Sequence, residues 1–167
     1  MVILGIDPGV VSTGYGVLKI KGRQIEMIDY GTIKVDSKGE FPSRLAGVYK
    51  RLEEICACYQ PDAMALEDVF FNRNTRTALA VGHMRGVIML AAVHSGLEVY
   101  TYTPLQIKQA ITGYGRAGKE QVRRMLKIIL KLPELPRPDH AADALAAALC
   151  HHYLQQYQDR VTLGEGR

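Results

Sequence analysis

The order of the apolar segments along the chain is the feature that most constrains its fold. Three strand-like segments come first, joined by short connections, and two more follow, each after a helical segment. Consecutive strands with short connections pair in antiparallel fashion, whereas strands reached through helices run parallel to their neighbours. The order therefore predicts an α/β fold. Its five-stranded mixed sheet has three antiparallel strands and then parallel additions, and is flanked by helices.

Sequence patterns also predict the bounds of these segments. The predicted strands are Val2–Asp7, Thr13–Lys21, Gln24–Val35, Ala63–Glu67 and Glu98–Tyr102. The predicted helices contain Leu45–Tyr59, Thr77–Ser95, Pro104–Ile111, Lys119–Leu132 and His140–Tyr157. Pro61 ends the first helix because proline cannot continue the backbone hydrogen bonding, and Gly96 ends the second. The apolar phase slips at Met27-Ile28, which indicates a β-bulge in the third strand.

Length and composition are those of a single globular domain. The 167 residues are 47% hydrophobic and 23% charged, and no Pro/Gly-rich linker divides them. We expect one domain over residues 1–158 and a short, mobile polar tail over residues 159–167. The net charge of +4 is compatible with a nucleic-acid partner but does not identify one.

Targeting and cysteine patterns bear on location. We find no basic leader and no apolar run of about 18 residues, and therefore expect a cytoplasmic protein without a membrane span. Cys56, Cys58 and Cys150 lack the paired C-x-x-C spacing of structural zinc sites. We interpret them as buried free thiols in a reducing compartment.

Acidic residues stand where two predicted strands end. Asp7 ends the first strand and Glu67 the fourth. Open α/β sheets place their ligands at the C-terminal edge of the strands. His140 and Asp143 lie three residues apart on the last helix and therefore share a face. An Asp on the buried side of that Ala-rich helix needs a partner, and a divalent cation shared with the other two acids would provide one.

The residue types indicate a metal and a chemistry. Hard carboxylate oxygens suit Mg²⁺ or Mn²⁺, and two such ions about 4 Å apart can hold both the attacking water and the leaving oxygen of a phosphodiester. The pattern therefore predicts a metal-dependent nuclease site. Each acid alone also has a structural interpretation. Asp7 would cap the turn that follows it, Asp143 would pair with an arginine, and Glu67 would be exposed.

Three motifs in the chain match one known family. They are Gly5–Gly9 (GIDPG) with Thr13–Gly16 (TGYG), Leu66–Phe70 (LEDVF) and Ala141–Ala146 (AADALA). In this order and spacing they resemble the RuvC family of Holliday-junction resolvases, over residues Val2 to Tyr153. The resemblance implies an RNase H-like fold and a homodimer that makes paired, symmetric cuts in a four-way DNA junction during homologous recombination and repair. It also implies a branch-migration motor complex of the RuvA–RuvB type as a partner.

The resemblance assigns roles to the residues at the sheet edge. The family's first, second and last acids correspond to Asp7, Glu67 and Asp143. The position three before the last acid is commonly Asp in the family and is His140 here. A neutral imidazole can still bind Mg²⁺ or Mn²⁺ but lowers the negative charge of the site. We therefore predict an active enzyme that holds two ions per active site and prefers Mn²⁺.

Two lysines match basic positions of the family. The resemblance implies that Lys108 and Lys119 contact the scissile or adjacent phosphates, where their charge would stabilise the growing negative charge. The alternative is that both are surface lysines. Gly113–Lys119 also fits the G-x-x-x-x-G-K pattern of phosphate-binding loops. Glu120 stands where Ser or Thr would hold Mg²⁺, and the preceding segment is helical, so we do not expect an NTPase.

The segment after Glu67 combines aromatic and basic residues. Phe70 matches an aromatic residue that the family places near the junction centre, and we predict that it stacks on unpaired bases. Arg73 and Arg76 are predicted phosphate contacts. Both Phe70 and Phe71 could instead be core residues, and the role of Phe71 is left open.

The long second helix carries two glycines, Gly82 and Gly86, that permit close approach of another helix. The resemblance assigns this helix to the dimer, whereas packing on its own sheet is the alternative.

Two other functions stay open at the level of sequence. One is a related RNase H-like nuclease that acts on RNA or on another branched DNA. The other is a junction-binding protein without activity, which the replacement of an acid by His140 motivates.

Overall fold

The computed structural model of the chain describes residues 1–36, 39–68 and 75–164. The strands are β1 Val2–Asp7, β2 Ser12–Lys21, β3 Gln24–Lys34, β4 Ala63–Glu67 and β5 Glu98–Tyr102. The helices are α1 Phe41–Tyr59, α2 Thr75–His94, α3 Pro104–Thr112, α4 Lys119–Ile129 and α5 Asp139–Gly164.

The five strands form one mixed sheet in the order β3-β2-β1-β4-β5. The pairs β1/β2 and β2/β3 are antiparallel, and β1/β4 and β4/β5 are parallel, as predicted. The bulge is also where the phase slip indicated it. Val17 pairs with Asp29 and Leu18 with Met27, which leaves Ile28 as an extra residue in β3.

Helix α5 packs on one face of the sheet with almost no space between the two backbones. A Cβ atom added to Gly5 of β1 would lie 2.0 Å from the carbonyl oxygen of Ala144. One added to Gly14 of β2 would lie 1.9 Å from the carbonyl oxygen of His140. Glycines in the strands and alanines in the helix therefore bring the start of α5 directly over the end of β1.

Helices α1 and α2 cover the opposite face. Their core includes Leu52 of α1 and Met84 and Ile88 of α2, all fully buried against Leu4 and Leu66 of the sheet. Two hydrophobic cores thus enclose the sheet, and the side chains at the strand ends are left at its C-terminal edge.

The three cysteines differ in burial. Cys56 and Cys150 are buried, but Cys58 is exposed on the outer side of α1, so the expectation that all three thiols are buried is wrong for Cys58.

Helix α2 departs from one expectation. Its segment Thr77–His94 has a mean hydropathy of 1.3 and is, by length and composition alone, apolar enough to cross a membrane. The expectation that the chain holds no such run is therefore wrong for this helix. Core helices of globular folds can have the same length and composition, but only 28% of this segment is buried. Leu79, Leu90 and Val93 give α2 an exposed apolar surface.

Two predicted helix ends need correction. Helix α4 ends at Ile129 and not at Leu132, because Lys131 takes a left-handed conformation with φ of 52°. Helix α5 continues to Gly164, so residues 159–164 of the predicted tail are helical. No glycine or proline interrupts α5 before Gly164, and the Thr162 hydroxyl donates to the Gln158 carbonyl at 2.9 Å.

The close contact between α5 and the sheet predicts that Gly5→Ala will unfold more easily than the parent. The added Cβ meets backbone atoms, which cannot rotate away, so we expect a loss of roughly 1–3 kcal/mol or more in the free energy of unfolding. Urea unfolding followed by circular dichroism measures this loss. Gly82→Ala is the matched control, since open space surrounds that glycine in the interior of α2. Equal stability of the two variants would contradict the packing argument.

Candidate active site

Three carboxylates meet at the C-terminal edge of the sheet. Asp7 ends β1 and Glu67 ends the neighbouring parallel strand β4, where Ile6 is paired with Leu66. Asp143 reaches the same point from the second turn of α5. One oxygen from each of Asp7, Glu67 and Asp143 lies within 4.8 Å of the other two. The structure thus brings together the three acids that sequence topology predicted to converge.

His140 stands beside these acids without joining their cluster. Its Nδ1 lies 2.5 Å from Oδ2 of Asp7, where the imidazole N–H donates to the carboxylate. That hydrogen bond, more than the nearby charges of Asp7 and Asp143, raises the pKa of His140, and burial opposes it. The ring is half exposed. Since its proton sits on Nδ1, the neutral ring has its lone pair on Nε2.

The cluster stores unfavourable electrostatic energy. Burial, followed by the charges of Asp7 and Asp143, raises the pKa of Glu67 from 4.5 to about 8. Burial and the charge of Asp7 also raise the pKa of Asp143. Like charges this close, with little water around them, favour protonation. A divalent cation removes the same repulsion by binding the ionised oxygens, so the donor set fits a hard metal ion.

Both predicted lysines lie at the cleft that contains the acids. The cleft has a volume of about 460 Å³, and its lining includes Lys108 and Lys119. Lys119 begins α4 and places Nζ 3.6 Å from Oδ2 of Asp143, with 69% of its side chain exposed. An exposed pair at this distance adds little to stability. Because the Lys119 ammonium is largely exposed and lines the cleft, it is available to an anion that binds there.

The predicted DNA-contact segment is only partly described. Phe70, Phe71 and Arg73 lie outside the described residues, and Arg76 lies in the first turn of α2. In the chain this segment joins β4, which ends at Glu67, to α2, which begins at Thr75.

Two arginines that sequence reasoning missed hold the backbone around the site. Arg85 of α2 donates to the Glu67 carbonyl at 3.1 Å. Arg123 of α4 donates to the Pro136 carbonyl at 3.1 Å and to Asp139, the first residue of α5, at 3.1 Å. A charged residue inside the apolar stretch of α2 was a signal for Arg85. No local pattern signals Arg123, because its partners lie in another segment.

An RNase H-like sheet with carboxylates gathered at the ends of its first and fourth strands defines a class of metal-dependent nucleases. The chain belongs to the family "Crossover junction endodeoxyribonuclease RuvC", whose sequence model matches residues 3–151. It is thus a nuclease of the family that its motifs resemble.

Curated relatives match over nearly the full length. The chain is 54% identical to crossover junction endodeoxyribonuclease RuvC of Alkaliphilus metalliredigens over 158 residues, which cover 95% of this chain and 96% of the relative. It is 48% identical to the protein of the same name from Caldanaerobacter subterraneus subsp. tengcongensis, over all of both chains.

Solved structures agree. The chain is similar to T. thermophilus RuvC in complex with Holliday junction substrate, with a TM-score of 0.90 and 38% identity over 95% of this chain and 96% of that one. The yeast mitochondrial Holliday junction resolvase Ydc2 has a TM-score of 0.67 at 12% identity, over 94% of this chain and 81% of that one. At that identity the likeness shows a common fold alone.

The raised pKa of Glu67 predicts how pH affects the metal-free protein. Between pH 4.5 and about 8 the folded protein keeps a proton on Glu67 that the unfolded chain has lost. The free energy of unfolding should therefore fall as pH rises through this window. In Glu67→Gln the fall should be smaller, and at pH 8 the variant should be more stable than the parent by at least about 1 kcal/mol.

Urea unfolding in EDTA between pH 5 and 8 measures this effect. Glu134→Gln, a change to an exposed residue before α5, controls for the loss of one negative charge. The same pH dependence in the parent and in Glu67→Gln would contradict the electrostatic account of the cluster.

Proposed function

We propose that this nuclease resolves four-way DNA junctions by paired, symmetric, metal-dependent hydrolysis of phosphodiester bonds in homologous recombination and DNA repair. The convergence of Asp7, Glu67 and Asp143 at one sheet edge carries the proposal. The high similarity to T. thermophilus RuvC in complex with Holliday junction substrate supports the choice of DNA structure.

The three acids, with His140, form the proposed metal site. We assign Mg²⁺ or Mn²⁺, two ions per site, because carboxylate oxygens within 4.8 Å of one another suit hard cations. Bound ions would supply an activated water and stabilise the leaving oxygen. His140 would bind through Nε2, since Nδ1 is engaged with Asp7. That hydrogen bond also fixes the orientation of the ring.

Lys119 is the proposed catalytic cation, and Lys108 a DNA contact. Lys119 lies 3.6 Å from Asp143, so its ammonium can reach a phosphate that is bound at the acids. Such a cation stabilises negative charge as it grows on the phosphate during hydrolysis. Lys108 lines the same cleft and would contact an adjacent phosphate.

The segment that leaves the sheet after Glu67 is the proposed junction-reading element. Phe70 would stack on an unpaired base near the junction centre, and Arg73 and Arg76 would contact phosphates. The position of the segment in the chain supports this assignment, because it directly follows Glu67, the last residue of β4.

A homodimer is the proposed assembly, because paired cuts in a two-fold junction require two related active sites. Leu79, Leu90 and Val93 are large apolar side chains that α2 leaves exposed, and burial against a second copy would remove them from water. Gly82 and Gly86 belong to the same helix, and they line an apolar groove between α1 and α2. Family resemblance alone supports a RuvA–RuvB motor as partner. The chain length and the lack of a Pro/Gly-rich linker support a single domain over residues 1–158, and the free cysteines support a cytoplasmic location.

Cleavage of synthetic substrates tests the function. We expect symmetric nicks on a four-way junction in Mn²⁺, and no cleavage of linear duplex or of an RNA–DNA hybrid. Asp7→Asn, Glu67→Gln and Asp143→Asn should each lower cleavage by at least about 100-fold, while electrophoretic mobility shift assays show that junction binding remains. Preferential cleavage of the hybrid would instead favour an RNA-directed nuclease. Binding without cleavage in the parent protein would favour an inactive junction-binding protein.

The imidazole in the metal site predicts a preference for Mn²⁺ over Mg²⁺, because nitrogen is a poor ligand for Mg²⁺. His140→Ala should lose cleavage by about 10- to 100-fold, and His140→Asp should raise the rate in Mg²⁺ relative to Mn²⁺. Junction cleavage over a titration of each metal measures both effects. Equal or faster cleavage by the parent in Mg²⁺ would remove the preference.

A further inference from the structure

Arg85 makes an unusual set of contacts next to the acid cluster. Its guanidinium, with 19% of the side chain exposed, lies between α2 and the ends of β4 and β5. Nη1 donates to the Glu67 carbonyl at 3.1 Å and to Oδ1 of Asp68 at 2.6 Å. Nη2 donates to Oγ1 of Thr101 at 3.2 Å. One side chain thus binds the main chain of a proposed metal ligand, its neighbouring carboxylate and a second strand.

Asp68 raises a problem that this contact solves. It follows Glu67 directly and lines the same cleft as the three acids. Among the described residues, however, the cluster contains Asp7, Glu67 and Asp143, and Asp68 lies outside it. A fourth carboxylate at the edge of a metal site can compete for the ion. The short, charge-assisted hydrogen bond to Arg85 compensates the negative charge of Asp68 and directs its carboxylate toward Arg85 instead of the cluster.

The carbonyl contact acts on Glu67 itself. The Asp68 N–H donates to the Tyr102 carbonyl at 2.8 Å, so the Glu67–Asp68 peptide is bound on one side to β5. Arg85 binds the carbonyl oxygen of this peptide on the other side. A peptide that is fixed at both groups cannot rotate, and the direction of the Glu67 side chain is therefore restricted. Outer contacts of this kind orient the ligands in metal sites.

We propose that Arg85 is a positioning residue that holds the Glu67–Asp68 peptide so that Glu67, and not Asp68, offers its carboxylate to the metal ion. The inference rests on the proposed function, because it takes Glu67 as a metal ligand. Arginine suits the role because its planar group donates in several fixed directions at once. Lysine would keep the charge opposite Asp68 but could not reach all three acceptors.

The test measures four-way junction cleavage as a function of Mn²⁺ concentration. Arg85→Met should raise the Mn²⁺ concentration for half-maximal cleavage by about 10- to 100-fold and lower kcat. The Kd for the junction in EDTA should stay within about twofold of the parent value. The Mn²⁺ concentration for half-maximal cleavage by Arg85→Lys should lie between the values for the parent and for Arg85→Met. Arg51→Met is the matched control, since it removes an ion pair with Glu54 on the exposed surface of α1, and it should leave the Mn²⁺ requirement unchanged.

The double variant Arg85→Met/Asp68→Asn separates positioning from a general structural effect. If Asp68 competes for the ion once Arg85 is lost, its neutralisation should bring the Mn²⁺ requirement back toward the parent value. A variant that is merely less stable would gain nothing from this change. An unaltered requirement in Arg85→Met, or no rescue in the double variant, would overturn the proposal. If Arg85→Met does not fold, Arg85→Gln with and without Asp68→Asn gives the same comparison, because glutamine also removes the positive charge opposite Asp68.

Failure of the proposed function has a different result. If Glu67→Gln cleaves the junction as fast as the parent, Glu67 is not a metal ligand and the proposed function is wrong at this residue. If Glu67→Gln is inactive while the Arg85 variants keep the parent Mn²⁺ requirement, only the role of Arg85 is wrong.

Discussion

The contact between α5 and the sheet is the interaction on which the rest of the structure depends. The carbonyl oxygens of Ala144 and His140 lie so close to Gly5 and Gly14 that no side chain larger than hydrogen fits at these two positions. Interiors are packed so closely that an added methyl group must move backbone atoms. This contact brings Asp143, on the last helix, within reach of the acids on β1 and β4. The packing of small residues therefore decides whether the site exists.

The site works against the stability of the metal-free protein. Buried, mutually repelling carboxylates raise the pKa of Glu67 to about 8, so the cluster holds a proton in the absence of a cation. The fold tolerates this cost because the acids lie at the sheet edge and two hydrophobic cores enclose the sheet. Clustered carboxylates with raised pKa values depart from the usual pairing of buried charges, and such departures are found at functional sites. A cation that binds only the folded state would reverse the cost.

Much of the fold was predictable because it follows from local patterns. The five strands, their mixed directions and the bulge at Ile28 came from apolar periodicity and connection length. The ends of α4 and α5 were predicted wrongly, and so was the absence of an apolar run of about 18 residues. Polar residues can extend a helix as long as no glycine or proline intervenes, and the amphipathicity of α2 is too weak to show which face is covered. Arg85 and Arg123 were missed because their partners are distant in sequence.

By itself, the sequence determined the succession of strands along the chain, the acids at the ends of two strands and the motifs that identify the family, since each depends on neighbouring residues. Only the tertiary structure decided how these parts meet. It separated three clustered carboxylates from His140, whose Nδ1 is hydrogen-bonded to Asp7. It also placed the guanidinium of Arg85 against the Glu67 carbonyl. Both results depend on the distance between side chains from separate elements, which is set by packing and not by any local pattern.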